Sequence, residues 1–112
     1  MNLFNNQLPG VAAAAVPGDG FLLDVREDDE WRAGHAPDAV HVPLSQLNAR
    51  VQEVPNDRDI YVICRSGARS AQAVAAFNNA GWTAANVDGG MHAWEAAGLP
   101  MVSESGSDPY VA

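Results

Sequence analysis

The single cysteine of the chain, Cys64, stands directly before Arg65-Ser66-Gly67-Ala68-Arg69-Ser70. A thiol flanked by two guanidinium groups and a glycine has the makings of a nucleophile for an anionic substrate. The thiolate is the reactive form of cysteine, and nearby positive charge favours it. Arginine adds a permanently charged, forked donor suited to oxyanions. A lone cysteine at a strand end is often no more than a small buried hydrophobe. Here the six residues that follow it are a poor continuation of a packed core.

The elements around Cys64 must position it. Ile60-Tyr61-Val62-Ile63 is a short apolar run with β-branched and aromatic residues, which predicts a buried strand ending at the cysteine. From Ser70 the period changes to that of a helix, with Ala71, Val74, Ala75 and Asn78 on one stripe and Phe77 beside them. Gly81 falls where a helix C-terminal cap is expected. A helix start leaves backbone N–H groups unpaired, and the helix dipole adds partial positive charge there. A tight loop entering the helix aims those groups inward as an anion cradle. A thiol in such a cradle is expected to titrate well below about 8.5.

Composition narrows the chemistry. The 112 residues predict one domain, here residues 1–100, with 101–112 expected as a flexible Ser/Gly/Asp/Pro-rich tail unless it docks. With six arginines, no lysine and 14 acidic residues, the formal charge is −8. That balance disfavours nucleic acid and anionic membranes as partners. Without lysine there is no Schiff-base or P-loop chemistry. One cysteine excludes an internal disulfide and a cysteine-rich zinc site. His35, His41 and His92 lack ligand spacing, so neither a metal nor a cofactor is expected. The opening residues show no signal-peptide pattern and no run is long enough to span a bilayer, which together with a reduced thiol points to the cytoplasm.

Along the chain, Leu3-Phe4 reads as an uncertain edge strand and Val11–Val16 as a short stretch of high helix propensity. Phe21–Val25 reads as a central parallel strand, because it lacks polar alternation. Asp24 lies near its end and is expected to satisfy loop N–H groups or pair with Arg26 rather than act as a base. Glu27–Gly34 predicts a short acidic helix containing Trp31, with Arg26 and Glu30 spaced to pair if the helix starts early. Val40 and Val42 suggest a brief strand, and Ser45 a helix N-cap. Trp82–Val87 is the last strand, followed by a glycine turn and a short helix in which Trp94 is expected to pack. Strands alternating with helices give an α/β fold, a parallel sheet covered on both faces.

Four blocks in order resemble the rhodanese family of single-domain sulfurtransferases. They are Leu22–Glu27, Glu30–Ala39, Cys64–Ser70 and Asn86–Trp94, and the match covers about residues 20–100. Asp38 stands where the family usually has glycine, and aspartate is expected to tolerate a positive φ there. The resemblance implies a central parallel sheet of four to five strands with helices on both faces. It implies a sulfurtransferase in which Cys64 takes the sulfane sulfur of thiosulfate or a related anionic donor. The resulting persulfide then passes to cyanide, a thiol or a protein acceptor. On this reading Arg65, Ser66, Gly67, Ala68, Arg69 and Ser70 form the substrate loop, with Asp24 and Arg26 supporting it. Arg65 is expected to bind the donor's anionic end, while Arg69 either does the same or braces the loop. Cysteine phosphatases that resemble this fold place an arginine six residues after the cysteine; here that position is Ser70. The shorter loop suits a single sulfur atom better than a phosphoryl group. A non-catalytic binding module and a sulfur-relay carrier are the alternatives, and oligomeric state is not legible.

Overall fold

A computed structural model describes residues 9–112. Its centre is a five-stranded sheet with strand order β1-β5-β4-β2-β3, every neighbouring pair parallel. The strands are β1 Gly10–Ala12, β2 Phe21–Asp24, β3 Val40–His41, β4 Asp59–Ile63 and β5 Thr83–Asp88. The helices are α1 Asp28–Ala33, α2 Leu47–Arg50, α3 Ala68–Asn79 and α4 Gly90–Ala96.

Side-chain alternation along the strands divides the core in two. Leu23, Ile60, Val62 and Ala84 face α3, where they meet Ala73, Val74 and Phe77. Leu22, Ile63 and Val87 face the other way, against Met91 and Trp94 of α4 and Ala13. Full burial of each such aliphatic side chain contributes about 1.5–3 kcal/mol, so the two central strands anchor both layers. Trp94 packs as expected and donates its indole N–H to Pro100 O at 2.8 Å.

β2 and β4 are neighbours, yet β2 continues to β3 on one side and β4 to β5 on the other. The strand order therefore diverges between their carboxyl ends. Ligands of open α/β sheets bind in the crevice at such a point. Asp24 ends β2 there, and Cys64 follows β4 there.

Several local expectations change. The stretch of high helix propensity at Val11–Val16 forms the end of β1 followed by a 3-10 turn at Ala13–Ala15. Its backbone pairs with the open edge of β5, and that non-local ladder overrides a propensity too short to sustain a helix. The Leu3-Phe4 expectation lies outside the described residues. Ser45 is not an N-cap. The segment is split into a 3-10 turn at Leu44–Gln46, the four-residue α2 and a second turn at Val51–Glu53, and Ser45 Oγ faces Glu27 at 3.5 Å. Asp38 needs no positive φ, since only glycines adopt one among the described residues. The buried face of α3 is Ser70, Ala73, Val74 and Phe77, one position round from the expected stripe, because that is the face the sheet meets.

Residues 101–112, expected as a flexible tail, are docked. Val102 bridges His35, the N–H of Glu104 reaches Arg32 O at 3.0 Å, and that of Tyr110 reaches Ala33 O at 3.0 Å. The closeness explains Gly34: a Cβ there would lie 2.5 Å from Tyr110 O.

Candidate active site

Cys64 is buried at the head of the loop that leads into α3. Gly67 is the N-cap of that helix with φ 113°, a left-handed conformation that glycine adopts without steric penalty. This turn directs the Gly67 N–H to Cys64 Sγ at 3.1 Å, and the buried Ser70 hydroxyl lies 3.2 Å from the same sulfur. Burial pushes the thiol up. The Ser70 hydroxyl and the backbone N–H groups of Ser70, Gly67 and Ser66 outweigh it and hold the thiol below its ordinary value. Of the loop residues, Ser66, Gly67 and Ser70 are the ones whose polar hydrogens face the sulfur.

The loop is held from behind by α4. The N–H groups of Met91 and His92 donate to the carbonyls of Cys64 at 2.8 Å and Arg65 at 3.1 Å. Gly90 makes this approach possible, since a Cβ there would stand 2.4 Å from Cys64 O. The Gly89-Gly90 turn, legible only as a turn in the sequence, is therefore also the rear support of the Cys64 loop.

The two arginines have different surroundings. Arg69 meets Glu30 of α1 in a two-pronged ion pair at 2.6 and 2.7 Å. That guanidinium is the main reason the Glu30 carboxyl sits below the usual carboxylate range. Glu30 Oε1 also accepts from Glu27 N–H at 3.1 Å, closing a capping box on α1. Arg65 is exposed and has no Asp or Glu partner among the described residues; its Nε donates to Ala112 O at 2.8 Å.

Asp24 and Arg26 form a fully buried pair. Asp24 receives the Arg26 backbone N–H at 3.0 Å, its Nε at 3.0 Å and its Nη2 at 2.8 Å. Nη2 also donates to Gly34 O at 2.8 Å, which ties β2 to the end of α1. The expected Arg26–Glu30 contact does not form. α1 starts at Asp28, so Arg26 lies outside the helix and turns inward, leaving Glu30 to Arg69.

Glu30 and Asn86 escaped the sequence reading as site residues. Asn86 of β5 lies 2.5 Å from Ser70 Oγ through Oδ1, and its Nδ2 donates to Gly67 O at 3.3 Å. A polar side chain on the α3-facing side of β5, in line with Ala84, was the available signal. Trp31 was assigned only to its helix. Its ring is stacked between His35, with centroids 3.5 Å apart, and His41, at 4.6 Å.

The protein is an α/β domain with a thiol in an N–H cradle at the carboxyl end of a parallel sheet, an arrangement able to serve cysteine-based group transfer. A rhodanese-like domain model matches residues 9–97, and the chain belongs to that family. A sulfurtransferase of Allochromatium vinosum is 42% identical over 89 residues, 79% of this chain and 83% of that protein. The crystal structure of a rhodanese-related protein from Thermoplasma volcanium superposes with a TM-score of 0.79 at 31% identity, covering 84% of this chain and 97% of that one. A thiosulfate sulfurtransferase of Pseudomonas aeruginosa gives a TM-score of 0.77 at 27% identity; 87% of this chain matches, but only 20% of that larger one. The family and these relatives support a rhodanese-like role in sulfur transfer.

Proposed function

We propose that the protein is a sulfurtransferase that carries sulfane sulfur as a persulfide on Cys64, with thiosulfate or a similar anionic sulfane compound as donor. The observation that carries this reading is the cradle itself: Sγ sits 3.1 Å from Gly67 N–H at the start of α3, with Ser70 where a phosphatase would need arginine. The Cys64 thiolate attacks the outer sulfur of thiosulfate. A new S–S bond forms, the old one breaks, and its electron pair leaves on sulfite. The persulfide anion is stabilised by the same N–H groups that stabilised the thiolate. Cyanide, a thiol or a protein thiolate then attacks the outer sulfur, and the Cys64 thiolate is released. No general base is required, and ping-pong kinetics are expected.

The two arginines take separate roles in this scheme. Arg65, which has no Asp or Glu partner among the described residues, receives the sulfonate end of the donor. Arg69, already matched by Glu30, braces the loop against α1.

Incubation with thiosulfate and no acceptor tests the scheme by intact-mass spectrometry. The protein is expected to gain one sulfur atom, cyanide to remove it, and Cys64→Ser to gain none while remaining folded. A protein that keeps its unmodified mass with several sulfane donors would favour a binding module. An adduct that cyanide does not remove would favour a carrier with a protein acceptor.

A further inference from the structure

Ser70 has one hydroxyl proton and two claimants for it. Asn86 Oδ1 is 2.5 Å away and Cys64 Sγ 3.2 Å away. Two oxygens at the shorter distance repel unless a proton lies between them. With the amide in this orientation, the Ser70 proton therefore belongs to Asn86. Ser70 then shows the sulfur only lone pairs and can accept an S–H proton but donate none. That arrangement suits the neutral thiol.

The thiolate and the persulfide anion need the opposite. Ser70 must turn its proton to sulfur, and Asn86 must meet Ser70 Oγ with an N–H donor. A side-chain amide carries both functions and exchanges them by turning over. The turned amide loses its present bond from Nδ2 to Gly67 O, so the exchange has a cost. We propose that Asn86 is a positioning residue for sulfur transfer, acting through Ser70: its amide sets which way the hydroxyl proton points, and it turns over as Cys64 gains negative charge. Asn86 does not touch the sulfur.

The placement of Asn86 supports this role. Its backbone N–H is tied to Pro9 O at 2.9 Å on one side of β5, and it pairs with Val62 of β4 on the other. The side chain thus reaches the loop from a fixed strand and meets both Gly67 and Ser70. The charged and titratable groups on the elements packed around Cys64 are Arg65 and Arg69 of the loop and α3, the Asp24–Arg26 pair at the end of β2, Asp28, Asp29, Glu30 and Arg32 of α1, Asp59 and Tyr61 of β4, Asp88 at the end of β5, and His92 and Glu95 of α4. None of them contacts the Ser70 hydroxyl, so the relay from Asn86 is separable from them.

This inference rests on Cys64 being the reactive group, but its test needs no turnover and so succeeds or fails apart from the sulfur donor. With one cysteine in the chain, thiolate absorbance near 240 nm followed against pH reports Cys64. Asn86→Ala removes the competitor for the Ser70 proton and is expected to lower the midpoint by about half a pH unit or more. Asn86→Asp keeps the shape but offers no N–H, and is expected to raise it by about one unit or more. In a Ser70→Ala background the Ala shift is expected to vanish, and the Asp shift to fall by at least about half, leaving only its charge effect. A midpoint that rises in Asn86→Ala, or stays at the wild-type value, overturns the proposal. So do shifts of full size in the absence of Ser70. If Asn86→Ala does not fold, as judged by circular dichroism, the isosteric Asp variant with and without Ser70 decides the matter by itself.

Discussion

Removing the carboxylate of Asp24 would seal an uncompensated guanidinium inside the protein. Both side chains of the Asp24–Arg26 pair have no exposed surface. Breaking one partner of such a pair costs about 3–5 kcal/mol, because the remaining charge keeps its desolvation penalty. Typical domains have only about 5–15 kcal/mol to lose. Asp24→Ala is therefore expected to shift the urea midpoint strongly downward, while Asp24→Ala with Arg26→Met recovers most of the loss. A single-variant loss under about 1 kcal/mol would contradict the account. This pair was legible in the sequence because its members are two residues apart and a carboxylate ending an apolar strand demands a partner. Glu30 and Arg69, 39 residues apart, were not legible as a pair, since only the fold brings α1 beside the start of α3.

That second pair links two elements, and pH tests it. The Glu30 carboxyl is held below its ordinary range, chiefly by Arg69. A group whose pKa falls on folding contributes stability above its unfolded value and loses it as pH drops through the folded one. The wild-type advantage over Glu30→Gln is thus expected to be full above about pH 4.5 and to shrink below it. Its size is modest, about 0.5–1 kcal/mol, because the Arg69 side chain remains 33% exposed and solvent screens the attraction. Denaturation of both variants across that range measures it; an advantage unchanged well below pH 4 would show that the ion pair is not its source. At this scale the unit of β4, loop and α3 was readable because strand, glycine and helix signals follow one another in sequence. The start of α3 was misjudged by two residues, and its buried stripe lies one position round from the one expected, because the sheet meets the face that carries Ser70, Ala73, Val74 and Phe77. β1 was unreadable, because its state is decided by an open edge of β5 more than 70 residues away.

The molecule as a whole works against its own proposed donor. A formal charge of −8 surrounds a loop in which Arg69 is already paired with Glu30 and Arg65 has no Asp or Glu partner among the described residues. The docked residues 101–112 bring Ala112 O to Arg65 and add no positive charge there. Screening falls from about 30 Å at 0.01 M salt to about 8 Å at 0.15 M. The two shorter dimensions of the molecule are 30 and 24 Å, so at low salt charges across either of them reach an approaching anion. At high salt only the neighbourhood of the loop does. In wild-type protein the distant repulsion and the Arg65 attraction are both weakened by salt and partly cancel. In Arg65→Ala only the repulsion remains. The kcat/KM of that variant for thiosulfate is therefore expected to rise several-fold between about 0.01 and 0.15 M salt, more than in the wild type. An uncharged sulfane donor, which feels neither field, is expected to show no such rise. Equal salt responses in the two proteins would remove Arg65 from donor binding, and an equal response to the uncharged donor would point to salt acting on the loop instead.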